Sequence, residues 1–429
     1  MAPSQTTYAP SIEKLVKSLK GQTVETSIES FIYLLKRRQV KGDDCADATA
    51  HIIRQVVAKS KWRDVDELLS RVQTVGSRLV QAAPHEPVIG NIVRRVMGLI
   101  RDEASEDRNA DDFGSEAASE IQSLAAAIAP QSQTGPPQRP GPVPLRPPTL
   151  TSVASFHIAK PKSMFNLLSV VETAESTITA ASTPLSQAMP TSVHALRSEV
   201  LDGIEEIMDE ISQADDQIAG FADIQIFPGD YVLAYLPSRT VERFLVKAAA
   251  KRKFTVFLVS LENPNTTTGE APHAALRKKL SSSGVKTISI ASNGLMAYMA
   301  RINKVVFSAR VVYQNGGLLV DSGASVAAQA AKAHSKPVIA LGGVYKFCPE
   351  DPSDEIAGEA GDSSAYVSYA EGPKVDALEV ENTVADYVPP ELVDVYLTNL
   401  GPQTRHHLAA IMADHYKPED VGFSFFSNE

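Results

Sequence analysis

Two loops in this chain of 429 residues carry residue types that could bind a phosphate. The first lies in "NGGLLVDSGASVAAQAAKAHSKPVIAL", residues 315–341, where Asn315 and Gly316 precede an apolar run and Ser322 and Gly323 precede an alanine-rich segment. This order predicts a strand, a loop, a helix and a second strand. The first backbone N–H groups of such a helix can face an anion, so this loop is a candidate phosphate site.

The second loop is Pro237-Ser238-Arg239-Thr240, which follows the apolar run "YVLAYL". Ser238 is a favourable N-cap residue, and the free backbone N–H groups of the helix that it starts could meet an anion. A helix cap beside a solvated Arg239 is the simpler interpretation, and we prefer it. Thr240 belongs to the first turn of the same predicted helix.

Signatures of nucleotide and metal sites are missing from the sequence. It contains neither G-x-G-x-x-G nor G-x-x-x-x-G-K-[ST], so a dinucleotide or P-loop site is not expected. His406 and His407 are adjacent and cannot both face one metal from a helix. Cys45 and Cys348 lie far apart and match no metal spacing. We therefore predict neither a cofactor nor a metal.

Charge is unevenly distributed along the chain, whose formal net charge is −10. Residues 1–101 contain 16 Lys and Arg against 10 Asp and Glu, whereas the remainder contains 25 against 41. An acidic chain with a basic N-terminal part is not a general nucleic-acid binder, but it can offer a local basic surface to an acidic or phosphorylated protein. No apolar run approaches the roughly 18 residues of a membrane span, and the N-terminus does not resemble a signal peptide. Together with two thiols in so long a chain, this predicts a cytosolic protein.

The N-terminal part reads as a helical bundle. In "HEPVIGNIVRRVMGLIRDE" the apolar residues from Ile89 to Ile100 recur at i, i+3, i+4, i+7, i+8 and i+11, which is one face of a helix. Arg94 and Arg95 fall on the opposite side, and Lys36, Arg37 and Arg38 cluster at the end of an earlier helical segment. We predict a helical domain over residues 1–103.

Residues 104–150 are acidic and then proline-rich, which predicts a disordered linker. Residues 151–220 read as a connector with a Ser/Thr-rich loop and a long amphipathic helix. In that helix Val200, Ile204, Ile207 and Ile211 are spaced by 4, 3 and 4 residues, so it could bridge two folded halves.

The C-terminal part, residues 221–429, alternates short apolar runs with helical segments. The runs "YVLAYL", "TVFLVS", "TISI", "KVVFSA" and "VIALGG" are separated by predicted helices over 238–253, 273–283, 293–302 and 322–334. This alternation predicts an α/β fold, a Rossmann-like doubly wound parallel sheet that follows the helical bundle. The C-terminal ends of its strands form the expected ligand crevice.

Three long stretches resemble one known family. They are "VLAYLPSRTVERFLVKAAAKRKFTVFLVSLENP", "ARINKVVFSARVVYQNGGLLVDSGASVAAQAAKAHSKPVIAL" and "DYVPPELVDVYLTNLGP". They resemble the alpha, beta and delta regulatory subunits of eukaryotic translation initiation factor 2B, with the greatest similarity to the beta members. The segment "KWRDVDELLSRVQTVGSRLVQAAPHEPVIGNIVRRVMGLIRDE" is similar to the N-terminal domain of the same subunits. The resemblance covers most of the chain outside the linkers.

The family shares its fold with sugar-phosphate aldose–ketose isomerases such as methylthioribose-1-phosphate isomerase. The resemblance places Leu236 at the position of their catalytic Cys and Arg310 at the position of their catalytic Asp. Isomerisation moves a proton between adjacent carbons; Leu carries no proton, and Arg stays protonated. We therefore expect no catalytic residue and a vestigial crevice formed by Leu236, Ser238, Arg239, Thr240, Arg310, Asn315 and Gly316.

The resemblance implies a non-catalytic regulatory subunit of the guanine-nucleotide exchange factor for translation initiation factor 2. Its implied partners are the delta, alpha, gamma and epsilon subunits of translation initiation factor 2B, and initiation factor 2 itself, whose alpha subunit is sensed in its phosphorylated form. We expect the basic residues Lys36, Arg37, Arg38, Arg94 and Arg95 to contact this partner. Two alternatives stay open: a divergent sugar-phosphate isomerase, and a module that senses a sugar phosphate or nucleotide without turnover.

Overall fold

The computed structural model describes residues 23–105, 190–260, 273–350, 352, 358–360 and 377–421. By contacts, Met1–Arg108 and Thr191–Glu429 form one compact unit. Almost all of the predicted linker and the Ser/Thr-rich loop before residue 190 lie outside the described residues.

Within the described residues, the N-terminal part is a bundle of four helices. They are α1 Val24–Lys36, α2 Asp43–Lys59, α3 Val65–Ala82 and α4, whose described part covers residues 88–105. The Oγ1 atom of Thr23 accepts the N–H of Thr26 and starts α1. The predicted stripe of α4 is confirmed, since Ile89, Ile92, Val93, Val96, Met97 and Ile100 are all buried in the core of this bundle. Because Ala104 also packs there, the helix continues past the predicted domain end at residue 103.

The long helix α5, Pro190–Gly220, connects the bundle to the rest of the unit. Val200, Ile204, Ile207 and Ile211 pack in the core of the bundle, whereas Ile218 packs in a core beneath the sheet. The predicted bridging helix is therefore confirmed. No helix in the described part of the chain, α5 included, is long and apolar enough to cross a membrane.

The C-terminal part is built on a mixed, mostly parallel sheet. Its strands are β1 Tyr231–Tyr235, β2 Thr255–Ser260, β3 Lys286–Ala291, β4 Lys304–Tyr313, β5 Leu318–Asp321, β6 Val338–Leu341, β7 Phe347–Cys348, β10 Ala385–Val388, β11 Val395–Thr398 and β12 Gly401–Gln403, and a separate two-stranded sheet holds β8 Gly358–Ala360 and β9 Glu381–Thr383. The main order is β3-β2-β1-β4-β6-β11-β12, in which only β12 runs antiparallel to its neighbour.

Helices cover both faces of this sheet, as the continuous apolar strands predict. They are α6 Ala222–Gln225, α7 Arg239–Lys251, α8 Ala274–Ser282, α9 Leu295–Met299, α10 Ala324–Ala333 and α11 Arg405–His415. The short α12, Pro418–Val421, contacts α4 through Asp420 and Arg101 instead. Alternate residues of β1 point to different cores: Val232 and Ala234 pack in the core of α7 and α8, and Leu233 and Tyr235 in that of α9, α10 and α11. The Rossmann-like doubly wound prediction is confirmed.

The order of the strands reverses between β1 and β4, which is where such sheets open a ligand crevice. Strand β4 continues beyond its parallel neighbours and turns back as a hairpin with β5, which in turn pairs with β10. The register of the hairpin shifts between Ala309 and Val311, so Arg310 sits at a β-bulge. The bulge directs this arginine towards the crevice.

Candidate functional site

A cavity of about 350 Å³ lies at the point where the strand order reverses. Its wall includes Ser238 and Arg239 after β1, Arg310 in β4 and Asp321 at the end of β5. The helical bundle supplies another part of the wall, which includes Lys41, Asp43, Asp44 and Glu86. The cavity is therefore formed by two parts of the chain that are far apart in sequence.

Three of the seven predicted crevice residues, Ser238, Arg239 and Arg310, line this cavity together. Ser238 caps α7, its Oγ accepting the N–H of Val241 at 3.4 Å. The side chain of Arg239 is 62% exposed, as the prediction of a solvated arginine requires, and its Nε atom lies 3.6 Å from the carboxylate of Asp215. The structure thus confirms the helix cap.

The other four predicted residues lie outside the cavity wall. Leu236 directly follows β1 and has a φ of +39°, and the Oγ1 atom of Thr240 donates to Asp215 at 2.7 Å. Asn315 and Gly316 belong to the tight turn of the β4–β5 hairpin, where the Oδ1 atom of Asn315 accepts the N–H of Gly317 at 2.7 Å. Gly316 has a φ of +87°, which a residue with a side chain rarely adopts. These two residues shape a turn.

Arg310 is neutralised within the chain. Its Nε and Nη2 atoms both lie 2.7 Å from Oδ1 of Asp321. Asp321 ends β5, directly before the loop to α10, and sequence reasoning did not single it out. Its position immediately after an apolar run was the signal that could have identified it.

Asp43, the first residue of α2, connects the bundle to the sheet. It accepts hydrogen bonds from Nζ of Lys346 at 2.6 Å and from the hydroxyl of Tyr345 at 2.8 Å. Burial opposes ionisation of Asp43, but the charge of Lys346 and the two hydrogen bonds outweigh it and lower the pKa of this carboxyl. Nothing local in the sequence indicated this contact, because Tyr345 lies 302 residues after Asp43 in the chain.

Two further carboxyl groups of the bundle face the cavity with raised pKa values. Burial raises the pKa of Glu86, although the charge of Arg310 and the N–H of Gly42 partly offset it. Burial, followed by the charge of Asp43, raises the pKa of Asp44. These groups are the acid–base candidates in the cavity.

The N-terminus of α10, the first candidate phosphate site, is occupied by groups of the chain itself. The N–H of Gly323 donates to Oδ2 of Asp386 at 2.7 Å, and the hydroxyl of Tyr235 donates to the carbonyl of Ser322 at 2.9 Å. Gly323 has a φ of +87°, and a Cβ atom at this position would overlap the hydroxyl of Tyr235. The glycine therefore permits close packing of β1 against this loop.

The basic residues expected to contact a partner fall into two groups. Lys36, Arg37 and Arg38 lie together at the end of α1, where Lys36 and Arg37 are exposed. The guanidinium of Arg37 lies 4.4 Å from the ring centroid of Tyr33, whose side chain is 53% exposed. We call Tyr33 and Lys36–Arg38 the basic surface of α1.

Arg94 and Arg95 do not belong to this surface: they lie opposite the apolar stripe, as predicted, but both are buried instead of being available to a partner. Arg94 is 1% exposed; it contacts Glu350, and its Nε donates to the carbonyl of Asp420 at 3.2 Å. Arg95 is 9% exposed and its Nη2 donates to Glu210 at 2.6 Å. The side of α4 opposite its apolar stripe faces α5 and the C-terminal segment instead of water, which is why periodicity alone misplaced both residues.

Within the described residues, no group of three His, Cys, Asp or Glu side chains is arranged to hold a metal ion. The two cysteines are buried and free, and burial raises the pKa of the Cys348 thiol to about 12, so this thiol is a poor nucleophile.

Three comparisons with known proteins agree. The model of the initiation factor 2 subunit family matches residues 148–404. The beta subunit of translation initiation factor eIF2B from Schizosaccharomyces pombe is 33% identical over 399 residues, which cover 92% of this chain and 97% of that protein. The crystal structure of eIF2B beta from Chaetomium thermophilum is 58% identical with a TM-score of 0.68, over 97% of this chain and 99% of the other. The tetrameric eIF2B-beta2-delta2 complex from the same organism matches at 54% identity and a TM-score of 0.67, over 95% of this chain and 100% of the matched chain.

Proposed function

The chain belongs to the initiation factor 2 subunit family, and from this membership we propose that it is a non-catalytic regulatory subunit of the guanine-nucleotide exchange factor for translation initiation factor 2. The observation that carries the proposal is the full-length similarity to a beta subunit that has been crystallised in a tetramer with delta. The proposed role assigns the protein to the cytosol. Its proposed partners are the delta, alpha, gamma and epsilon subunits of the exchange factor.

The chemistry of the cavity supports a role without catalysis. The resemblance to the isomerases implies that Leu236 and Arg310 replace their catalytic Cys and Asp, and Arg310 is engaged by Asp321 at 2.7 Å. A residue that holds no transferable proton at working pH cannot serve as the general acid or base of isomerisation. We expect no turnover of methylthioribose 1-phosphate or ribose 1,5-bisphosphate by the purified chain, and robust turnover that a cavity substitution abolishes would contradict this role.

Assembly with a delta-like partner is the direct test. The full chain should be co-expressed with a delta subunit and its mass measured by light scattering, because α5 buries part of its apolar face against the bundle and a fragment without the bundle would expose it. We expect co-elution at the mass of a tetramer with two copies of each chain. A monomer that ignores the partner would contradict the proposal.

The basic surface of α1 is our proposed contact with initiation factor 2 and its phosphorylated alpha subunit. Lys36 and Arg37 are exposed, and a guanidinium fork suits a phosphoserine or an acidic surface. The proposal no longer includes Arg94 and Arg95, because both are buried in ion pairs of this chain.

This contact can be tested by reversing charge in the assembled complex. Lys36→Glu with Arg37→Glu should weaken binding to phosphorylated initiation factor 2 by roughly tenfold, and the loss should shrink as salt rises. Lys61→Glu with Arg63→Glu is the matched control, since it reverses the same two charges on exposed residues of the same bundle. Equal affinity for both variants, with the complex intact, would assign the basic surface to solvent.

A second candidate function is supported by the cavity itself. A space of about 350 Å³ with Lys41, Arg239, Arg310 and Lys346 in its wall could admit a sugar phosphate or nucleotide that is sensed without turnover. A thermal-shift screen of the purified chain against sugar phosphates and nucleotides separates this candidate from the first. The close ion pairs of Arg310 with Asp321 and of Lys346 with Asp43 favour the first candidate.

A further inference from the structure

In the loop before α10, the polar groups that could bind an anion form hydrogen bonds with other residues of this chain. The N–H of Gly323 is bound to Asp386 at 2.7 Å, and the hydroxyl of Ser322 lies 2.8 Å from that of Thr383. Asp386 belongs to β10, which pairs with β5 and so reaches the start of the helix. The position that a phosphate would take at this helix N-terminus is therefore filled by a carboxylate.

The guanidinium group of Arg310, in the adjacent strand β4, is engaged in the same way. Nε and Nη2 of Arg310 both contact Oδ1 of Asp321 at 2.7 Å, and the side chains are only 25% and 33% exposed. A partly buried ion pair with two short contacts is weakened less by salt than an exposed one. An incoming anion would have to displace this carboxylate.

Two other cations of the cavity wall also lie close to carboxylates of the chain. Lys346 is paired with Asp43 at 2.6 Å, and Arg239 lies 3.6 Å from Asp215. Arg310 and Lys346 thus have carboxylate partners of the chain within 2.7 Å, whereas Arg239 is 62% exposed and makes a longer contact.

The hydroxyl of Tyr235 lies near the carboxylates of Asp321 and Asp386, beside the start of α10. Burial raises the pKa of its hydroxyl to about 12, and the charges of Asp386 and Asp321 add to this effect. Burial is the main reason that this hydroxyl resists ionisation, and the two carboxylates that add to the effect also disfavour a phosphate beside them.

We propose that Asp321 and Asp386 act as built-in counter-anions that exclude phosphate monoesters from the crevice. This inference rests on the proposed regulatory function and extends it, because Asp321 becomes the residue that determines ligand exclusion. A crevice closed in this way leaves the subunit unresponsive to phosphorylated metabolites.

Removing one carboxylate tests the inference. Asp321→Asn keeps the size of the side chain and frees Arg310, so inorganic phosphate should raise the melting temperature of this variant by about 2 °C or more relative to chloride at equal ionic strength. The full-length wild-type chain should show no such difference. Adding Arg310→Ala to Asp321→Asn should remove the gain.

Asp216→Asn is the matched control, because it removes the same charge from an exposed pair with Arg243, at 2.9 Å, away from the cavity wall. If Asp321→Asn does not fold, Asp386→Asn frees the N–H of Gly323 and provides the same readout. A phosphate-specific rise in the wild type, or its absence in a folded Asp variant, would overturn the inference. Assembly with delta is measured separately, so a wild type that binds phosphate and still assembles overturns this inference alone.

Discussion

At residue 94 the chain buries a guanidinium group almost completely, and this burial defines a structural role. Arg94 is 1% exposed, and it contacts both Glu350 and the backbone of Asp420. Glu350 is 45% exposed, so water can hydrate its carboxylate when Arg94 is removed, and this limits the loss of stability. We expect Arg94→Ala to lower the free energy of unfolding by about 2 to 3 kcal/mol in chemical denaturation.

Arg37→Ala is the control for this substitution, because Arg37 is exposed at the end of α1. It should change the free energy of unfolding by no more than about 0.5 kcal/mol. If the two variants unfold alike, the contacts of Arg94 contribute nothing to stability.

Gly323 offers a second test at the scale of one residue. Gly323→Ala places a methyl group against the hydroxyl of Tyr235 and also imposes a φ of +87° on a residue with a side chain. Gly229→Ala imposes almost the same φ, +85°, with no atom within 4 Å of the new methyl group. We expect Gly229→Ala to cost about 1 kcal/mol and Gly323→Ala about 1 to 3 kcal/mol more.

The steric part of the Gly323→Ala cost should depend on one oxygen atom. Combining it with Tyr235→Phe should recover part of the loss, measured by a double-mutant cycle in denaturant. Equal costs for the two glycine variants would show that the loop moves away from β1 without penalty.

At the scale of elements, the contact between the bundle and the sheet carries a pH dependence. Burial raises the pKa of Glu86 above its ordinary value, so the folded state binds this proton more tightly than the unfolded state. The stability linked to this proton is present below the ordinary pKa and is lost as pH rises through the folded value. Glu86→Gln should therefore stabilise the protein increasingly as pH rises towards neutrality.

The measurement is the free energy of unfolding of wild type and variant at a series of pH values. Glu391→Gln, which removes a carboxylate with 64% side-chain exposure, should give no such trend. Asp43 works in the opposite sense: its pKa is lowered, so its contribution is present above the ordinary pKa and lost as pH falls. A Glu86→Gln difference that is flat with pH would contradict the burial argument.

At the scale of the whole molecule, we predict that residues 106–150 are dispensable for folding. Their acidic and proline-rich composition buries too little apolar surface to offset the entropy of ordering. Replacing them with a short Gly/Ser linker should shift the melting temperature by no more than about 2 °C.

The replacement must leave the end of α4 intact. In a second variant the Gly/Ser replacement begins at Asp102. It removes the buried Ala104 and the Asp102–Lys417 ion pair at 2.6 Å, so it should have a lower melting temperature. A large loss in the first variant would show that the segment packs on the folded unit.

The sequence by itself determined the elements, because their signals are local. The 3.6-residue spacing of Ile89–Ile100, the continuous apolar strands and the cap at Ser238 each depend on neighbours within a few residues. The alternation of strands and helices predicted a crevice at the C-terminal ends of the strands. The resemblance to a known family implied that the acid–base pair of the isomerases is absent from it.

Only the tertiary structure decided which charges meet. Arg94 and Asp420 are 326 residues apart, and Tyr345 and Asp43 are 302 residues apart, so no local pattern could pair them. An amphipathic pattern cannot distinguish a polar helix face in water from one that is buried against another part of the chain. Charged side chains occur in both places, because a buried charge is tolerated when it is paired with an opposite charge. For the same reason Arg310 and Gly323 looked available to an anion in the sequence, whereas the fold brings Asp321 and Asp386 to them.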